Sequence, residues 1–214
     1  TIILIHFLIV PLMWIGKFKV VAYVFDRIIA QGARAGQIPA RTQQARTWFR
    51  DKASNTRTQP GRLISSSDNY VGKPEVGGMF LFGYDPKHKK TLPYYDRFPL
   101  VIPVDESEGG FVGLNMHYLP LQQRAVLMDA LYKTVSDQRY NEKTKLRVNY
   151  NILKSASRFK AFKPTFKKYL ASHVRTRFIQ IEPVEWDIAL FLPLQRFEKA
   201  SAARIHRDSL GALQ

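Results

Sequence analysis

The sequence predicts an α+β fold: a small, strongly curved antiparallel sheet or SH3-like barrel, with inserted and flanking helices and an extended N-terminal region. Three observations predict it. Short β-prone runs bounded by Gly, Pro or Asp gather in mid-chain: MFLF at 79–82, LVIPV at 100–104 and GFVGLNM at 110–116. Two later strand-like runs, RFIQI at 177–181 and WDIALFL at 186–192, are placed to pair with them and close the sheet. Segments of helical apolar spacing lie between and around these runs. A chain of 214 residues can bury one good core. The expected organisation is an apolar arm or helix over 1–36, a basic helix plus linker loop over 37–76, and a main α+β domain over 77–210.

Residues 1–16, TIILIHFLIVPLMWIG, are almost wholly apolar and are followed by Lys17 and Lys19. The run falls short of the ~20 apolar residues that span a bilayer, and no basic stretch precedes it as in a secretory signal. Three readings stay open for it: a membrane anchor, an arm buried against neighbouring subunits, and residues upstream of a true start at Met13. A membrane partner is not expected. The next segment, VVAYVFDRIIAQGAR at 20–34, suits a helix ending at Gly32 or Gly36. Pro39 opens a second helix to about Ser54, with a positive surface from Arg41, Arg46, Arg50 and Lys52 and an anchor in Trp48 and Phe49.

Residues 55–78 are rich in Ser, Thr, Asn, Gly and Pro and read as a linker or a long wrapping loop. Pro86 and Pro93 bracket a connection that carries Lys87, His88, Lys89, Lys90, Tyr94, Tyr95 and Arg97. ESEGG at 106–110 reads as a hairpin turn in which glycine supplies positive φ. Pro120 precedes LQQRAVLMDALYKTV, a core helix with Leu121, Ala125, Leu127, Met128 and Leu131 as its apolar stripe. A polar connection follows over 136–144. Pro164 predicts a helix, PTFKKYLASHV, with Phe166, Tyr169 and Leu170 inward and the lysines outward. Residues 197–210 predict a basic C-terminal helix bearing Lys199, Arg204, His206 and Arg207.

Charge is the sharpest feature. There are 33 Lys and Arg against 17 Asp and Glu, a net charge of +16. Self-repulsion of that size opposes compaction, and a polyanionic partner offsets it: nucleic acid first, an anionic membrane surface second, an acidic protein neighbour third. The excess is concentrated between 143 and 181, where eleven basic residues meet no acidic one. A charge run is ordinarily a solvated face, but here the carboxylates that would pair with it at helical spacing are missing, which favours phosphate. The candidate DNA-contacting residues are Lys87, Lys89, Lys90, Tyr94, Tyr95 and Arg97 on the loop, with Lys160, Lys163, Lys167, Lys168, Arg175 and Arg177 downstream. Cations supply the sequence-independent phosphate attraction and exposed rings stack on unpaired bases. The plainer account of Tyr94, Tyr95 and Phe98 is that they close one end of the barrel.

Catalysis finds little support. No cysteine is present, and His6, His88, His117, His173 and His206 form no metal-binding pair. No phosphate-binding loop, nucleophile elbow or cofactor motif occurs, so neither cofactor nor small-molecule substrate is expected. Asp85, Asp96, Asp105, Glu106 and Glu108 do not fall into a spacing that gathers a divalent metal. His117 beside Asn115 superficially suggests a nuclease; a histidine at a strand end is more often structural.

YDPKHKKTLPYYDRFPLVIPV at 84–104 with GFVGLNMHYLP at 110–120, followed downstream by FKPTFKKYLASHV and EPVEWDIALFLPLQRFEKAS, resembles a virion protein of contractile-tailed bacteriophages. The resemblance covers roughly residues 77–210 and is to the DNA end protector, or head-completion, group. It implies a non-enzymatic component of the virion, made in the host bacterial cytoplasm, that binds and guards the end of packaged double-stranded DNA at the head or neck beside other head, neck or tail proteins. The alternative is a neck or baseplate connector whose positive face docks on acidic neighbouring subunits without touching DNA. A metal-dependent nuclease is the third possibility.

Overall fold

The computed structural model describes residues 23–38, 42–135 and 164–211. Helix α1 (Asp26–Arg34) buries Ile28 and ends where Gly36 adopts φ +70°. Gln37 N–H there donates to the Gly32 carbonyl at 2.8 Å, so of the two predicted stops Gly36 is the one used. Helix α2 (Gln43–Ser54) is started by Thr42, whose hydroxyl accepts the Ala45 N–H at 3.0 Å. Pro39 and Arg41 lie outside the described residues. Within the stretch expected to be a loop, a short helix α3 (Pro60–Ser66) opens on its proline, and strand β1 (Tyr70–Val71) follows.

The sheet is built from β1, β2 (Met79–Leu81), β4 (Leu100–Ser107), β5 (Gly110–Asn115), β6 (Phe166–Leu170) and β7 (Phe178–Ile181), in the order β1-β7-β2-β4-β5-β6. Every pairing along it is antiparallel. The predicted hairpin joins β4 to β5, with Ser107 opposite Gly110 and Gly109 at φ +69°. A second, two-stranded sheet pairs β3 (Tyr95–Asp96) with β8 (Phe197–Glu198).

Alternation along the strands gives the large sheet two apolar faces. Met79, Leu81, Ile102, Leu114, Ile179 and Ile181 face the main core, which the helices cover. Phe80, Phe82, Val101, Phe111, Tyr169 and Phe178 form a second, aromatic core on the other side. Phe82 follows β2, and Tyr169 lies on β6, three strand intervals away, or ~14 Å in a flat sheet. Their ring centroids are 5.4 Å apart. The sheet therefore curls around its own aromatic side chains, but its order runs from β1 to β6 without closing, so among the described residues the expected SH3-like barrel is not found.

Two expected elements exchange character. The segment after Pro164 is strand β6, not a helix: Tyr169 pairs with Phe111 and Lys167 with Gly113 along the free edge of β5. Gly110 makes this docking possible, because a Cβ there would fall on the Tyr169 carbonyl oxygen. Ladder hydrogen bonds to a waiting edge outweigh a marginal helical spacing over a few residues. Conversely, Trp186–Phe191 is helix α5, not a strand. A short continuous apolar run does not by itself distinguish the two states, and here Pro183 leads a 3-10 turn straight into the helix. All of Trp186, Asp187, Ile188, Ala189 and Leu190 are buried.

Two surface assignments also change. Arg50 does not contribute to a basic exterior; its guanidinium donates to Asp187 at 2.8 Å and Asp129 at 2.7 Å inside the α2–α5 packing. On α4 (Leu121–Val135), Leu127 and Met128 are buried as expected, but Leu121 is exposed. Arg124 turns inward from the same helix, donating to the carbonyls of Leu119, Leu190 and His117 at 2.7, 2.7 and 3.1 Å. The C-terminal helix, α6 (Ala202–Gly211), buries Ile205 and Ser209.

Candidate nucleic-acid interface

The lysine- and tyrosine-rich loop at 85–97 is tied down at several points. Tyr84 N–H donates to the Arg97 carbonyl at 2.9 Å, closing the loop's base, and Asp85 N–H donates to the His173 carbonyl at 3.1 Å. Pairing of β3 with β8 fixes its far end. Lys199 holds the middle: its Nζ donates to the carbonyls of Lys90 and Leu92 at 2.9 and 2.8 Å. The loop therefore presents its side chains from a defined backbone.

Between this loop and β6 lies a cleft of about 500 Å³. Lys87, Tyr94 and Tyr95 line it from the loop, and Lys167 lines it from the strand. Lys167 and Tyr169 share a face of β6, so the lysine stands at one end of the aromatic core. Its Nζ is 4.3 Å from the centroid of the Tyr118 ring, and burial lowers its ammonium below the usual range. Lys168 lies at the rim and is exposed. Among the described residues, Lys87, Lys167 and Lys168 make no ion pair.

The cleft floor is polar. Asp96 accepts from His117 Nδ1 at 2.6 Å, from Asn115 Nδ2 at 3.3 Å, and from the backbone N–H groups of Phe98 and Arg196 at 3.1 and 3.2 Å. Burial acts to raise this carboxyl, but His117 and the backbone donors outweigh it and hold it below the ordinary range. His117 is pushed down, by burial first, against the pull of Asp96. The pair is thus a carboxylate holding a neutral imidazole, with both side chains sealed from solvent.

A second cleft of about 520 Å³ shares Tyr84 and Tyr95 with the first. Lys89, Arg97 and Arg175 converge here, each facing an acid: Lys89 and Arg175 lie 2.9 and 3.7 Å from Asp85, and Arg97 lies 3.4 Å from Glu198. Lys90 is exposed on the loop. Arg177 stands apart, stacked 4.0 Å from the Tyr70 ring at the β1 edge. Lys160 and Lys163 fall outside the described residues. The ring predicted to close a barrel end, Tyr94, instead leans on Tyr118 at 6.0 Å between centroids. Sequence reasoning missed Tyr118 and Lys199 as parts of this site. The sequence HYLP at 117–120 marks the end of an apolar run, but nothing in it announces the lysine that settles on the tyrosine.

No ≥3-member group of His, Asp and Glu able to hold a metal occurs among the described residues, nor does any helix there long and apolar enough to cross a membrane. Comparison with curated proteins and with solved structures finds no match. A protein-family model described as "Phage T4 terminal DNA protecting protein" matches residues 22–207. That span takes in the loop, the cleft and every strand, and the chain belongs to the family of phage T4 terminal DNA protecting proteins.

Proposed function

We propose that this chain is a non-enzymatic virion protein that binds the end of packaged double-stranded phage DNA at the head or neck and denies it to exonucleases. One observation carries the reading: two segments some eighty residues apart bring Lys87, Lys167 and Lys168 to a single aromatic cleft, and none of the three makes an ion pair among the described residues. Cations left unpaired on a folded surface suit a phosphate backbone. The second cleft, where Asp85 and Glu198 already neutralise Lys89, Arg97 and Arg175, is the weaker part of the surface. A non-catalytic role fits the floor, because the one histidine paired to a carboxylate there, His117, is 0% exposed. Occupying an end requires affinity and shape, not turnover. Other head, neck or tail proteins would hold the bound end in place.

Titration of linear duplex DNA with the full chain tests this. Three phosphate contacts predict a loss of about fortyfold in affinity between about 50 and 200 mM salt, and slower digestion of the bound ends by an added exonuclease. Absent or salt-independent binding would overturn the reading in favour of a connector docked on acidic subunits. Cleavage of the DNA on adding magnesium or manganese would overturn the non-enzymatic part.

A further inference from the structure

We infer that the cleft between the 85–97 loop and β6 is a pocket for a single unpaired nucleotide at a DNA terminus, and that it is how the protein distinguishes an end from internal duplex. This rests on the DNA-end reading above and adds a site to it.

Volume makes the first argument. About 500 Å³ lies within the range that encloses one small ligand. Stacked base pairs cannot enter such a space, whereas one unstacked nucleotide can, as in enzymes that draw a base out of the helix. Only a terminus supplies that nucleotide at little cost, since an internal base must first be unpaired and unstacked.

The order of side chains from mouth to floor makes the second. Lys87, at the mouth, is exposed and suited to a phosphate. Tyr94 is half-buried and offers a ring at the depth a base would reach, backed by Tyr118, which is 4% exposed. Asn115 and Asp96 close the floor, with the Asp96 carboxylate already engaged by four donors, so the cleft ends there and its depth is set. Lys167 sits between mouth and floor, half-buried, with its Nζ over the Tyr118 ring and in no ion pair among the described residues. A partly desolvated ammonium in no ion pair is costly, and an arriving anion offsets that cost. The 5′- or 3′-terminal phosphodiester of an inserted nucleotide would place one beside it.

The test uses the full chain and three DNAs of one sequence: a duplex with one unpaired nucleotide at each end, the same duplex closed by hairpin caps, and the open duplex carrying 5-iodouracil at the unpaired position. The open form is expected to bind about tenfold more tightly than the capped form, the size of one base–aromatic stack. Irradiation is expected to crosslink the iodouracil to Tyr94 or Tyr118. Lys167→Gln and Tyr94→Ala are each expected to reduce the open-end preference toward unity, and Tyr94→Phe to retain it. Equal affinity of the wild-type chain for open and capped DNA, or crosslinks confined to residues outside the cleft, would overturn the pocket while leaving DNA binding in place. Binding to neither DNA would remove both readings. The wild-type comparison decides the matter even if a substituted chain fails to fold.

Discussion

His117 Nδ1 lies 2.6 Å from Asp96 Oδ2 with both side chains shut away from water, and around this contact the loop, the end of β5 and the C-terminal segment meet. Asp96 Oδ1 accepts the N–H groups of Phe98 and Arg196, while the His117 carbonyl accepts from Arg124 and His206. Replacing Asp96 with Asn turns a donor toward His117 and Asn115 and removes a buried charge-assisted bond. The expected cost is about 2–4 kcal/mol of unfolding free energy, read from denaturant melts. Both Asp96 and His117 have folded pKa values below their ordinary ones. Each therefore contributes stability that is complete above its unfolded pKa and is lost as pH falls. The imidazole contribution fades below 6.5 and the carboxylate contribution below 3.8. Asp96→Asn should lack the second loss.

Glu185 gives the opposite sign. It is 0% exposed, and its Oε1 accepts the Phe25 N–H at 2.6 Å, fixing the start of α1. Burial pushes its carboxyl up to about 7, although backbone donors partly restrain it. A raised folded pKa gives stability that is complete below 4.5 and is lost as pH rises through about 7. Glu185→Gln keeps the acceptor and removes the charge. It should gain about 1–3 kcal/mol relative to wild type at pH 8 and flatten the loss between pH 4.5 and 7. Paired melts at pH 5 and pH 8 measure the difference; parallel pH profiles for the two chains would count against the assignment.

Arg50 joins α2 to α5 through Asp187 and reaches Asp129 on α4, with its guanidinium 5.3 Å from the Phe191 ring. Arg50→Met preserves most of the volume but takes the guanidinium away from Asp187, which is 2% exposed. Breaking a buried pair from one side costs about 3–5 kcal/mol. The expected outcome is a large drop in thermal midpoint with little change in DNA affinity per folded molecule.

How legible these features were depends on how far apart their causes lie in the chain. The β4–β5 hairpin was readable because its strand pattern and its turn glycine are contiguous, and α2 was readable from its anchor Trp48–Phe49. The β6 segment was not, because its state is decided by Gly110, more than fifty residues earlier. Trp186–Phe191 was ambiguous for the opposite reason: buried from Trp186 through Leu190, Asp187 included, it has no exposed polar face to reveal a period. The basic surplus pointed to a polyanion from composition alone. Sorting it required the fold: Arg50 is spent inside, Lys89 and Arg175 share Asp85, and Lys167 alone of these is left half-buried beside a ring.

Gly110→Ala tests the link between β6 and the cleft. The added methyl would strike the Tyr169 carbonyl, a backbone atom that cannot swing aside. Separating β6 from β5 should cost about 3 kcal/mol or more, since overpacking and lost ladder bonds add. It should also weaken DNA binding, because Lys167 is carried on that strand. Amide exchange of residues 166–170 should accelerate while that of β2 remains slow, distinguishing local separation from global unfolding.

Lys199 offers a way to alter the loop without touching its own side chains. This residue has φ +69° and donates to the Lys90 and Leu92 carbonyls, so it adopts a backbone conformation that favours glycine while holding the loop. Lys199→Gly relieves the backbone strain, worth about 1 kcal/mol, and removes two exposed hydrogen bonds of similar combined value. Global stability should therefore move by less than about 1 kcal/mol. Loop order should not be spared: amide exchange over residues 88–92 should rise about tenfold. DNA affinity should fall with it, because Lys87 would then be ordered only on binding. Unchanged exchange in a folded Lys199→Gly chain would show that the β3–β8 pairing alone fixes the loop.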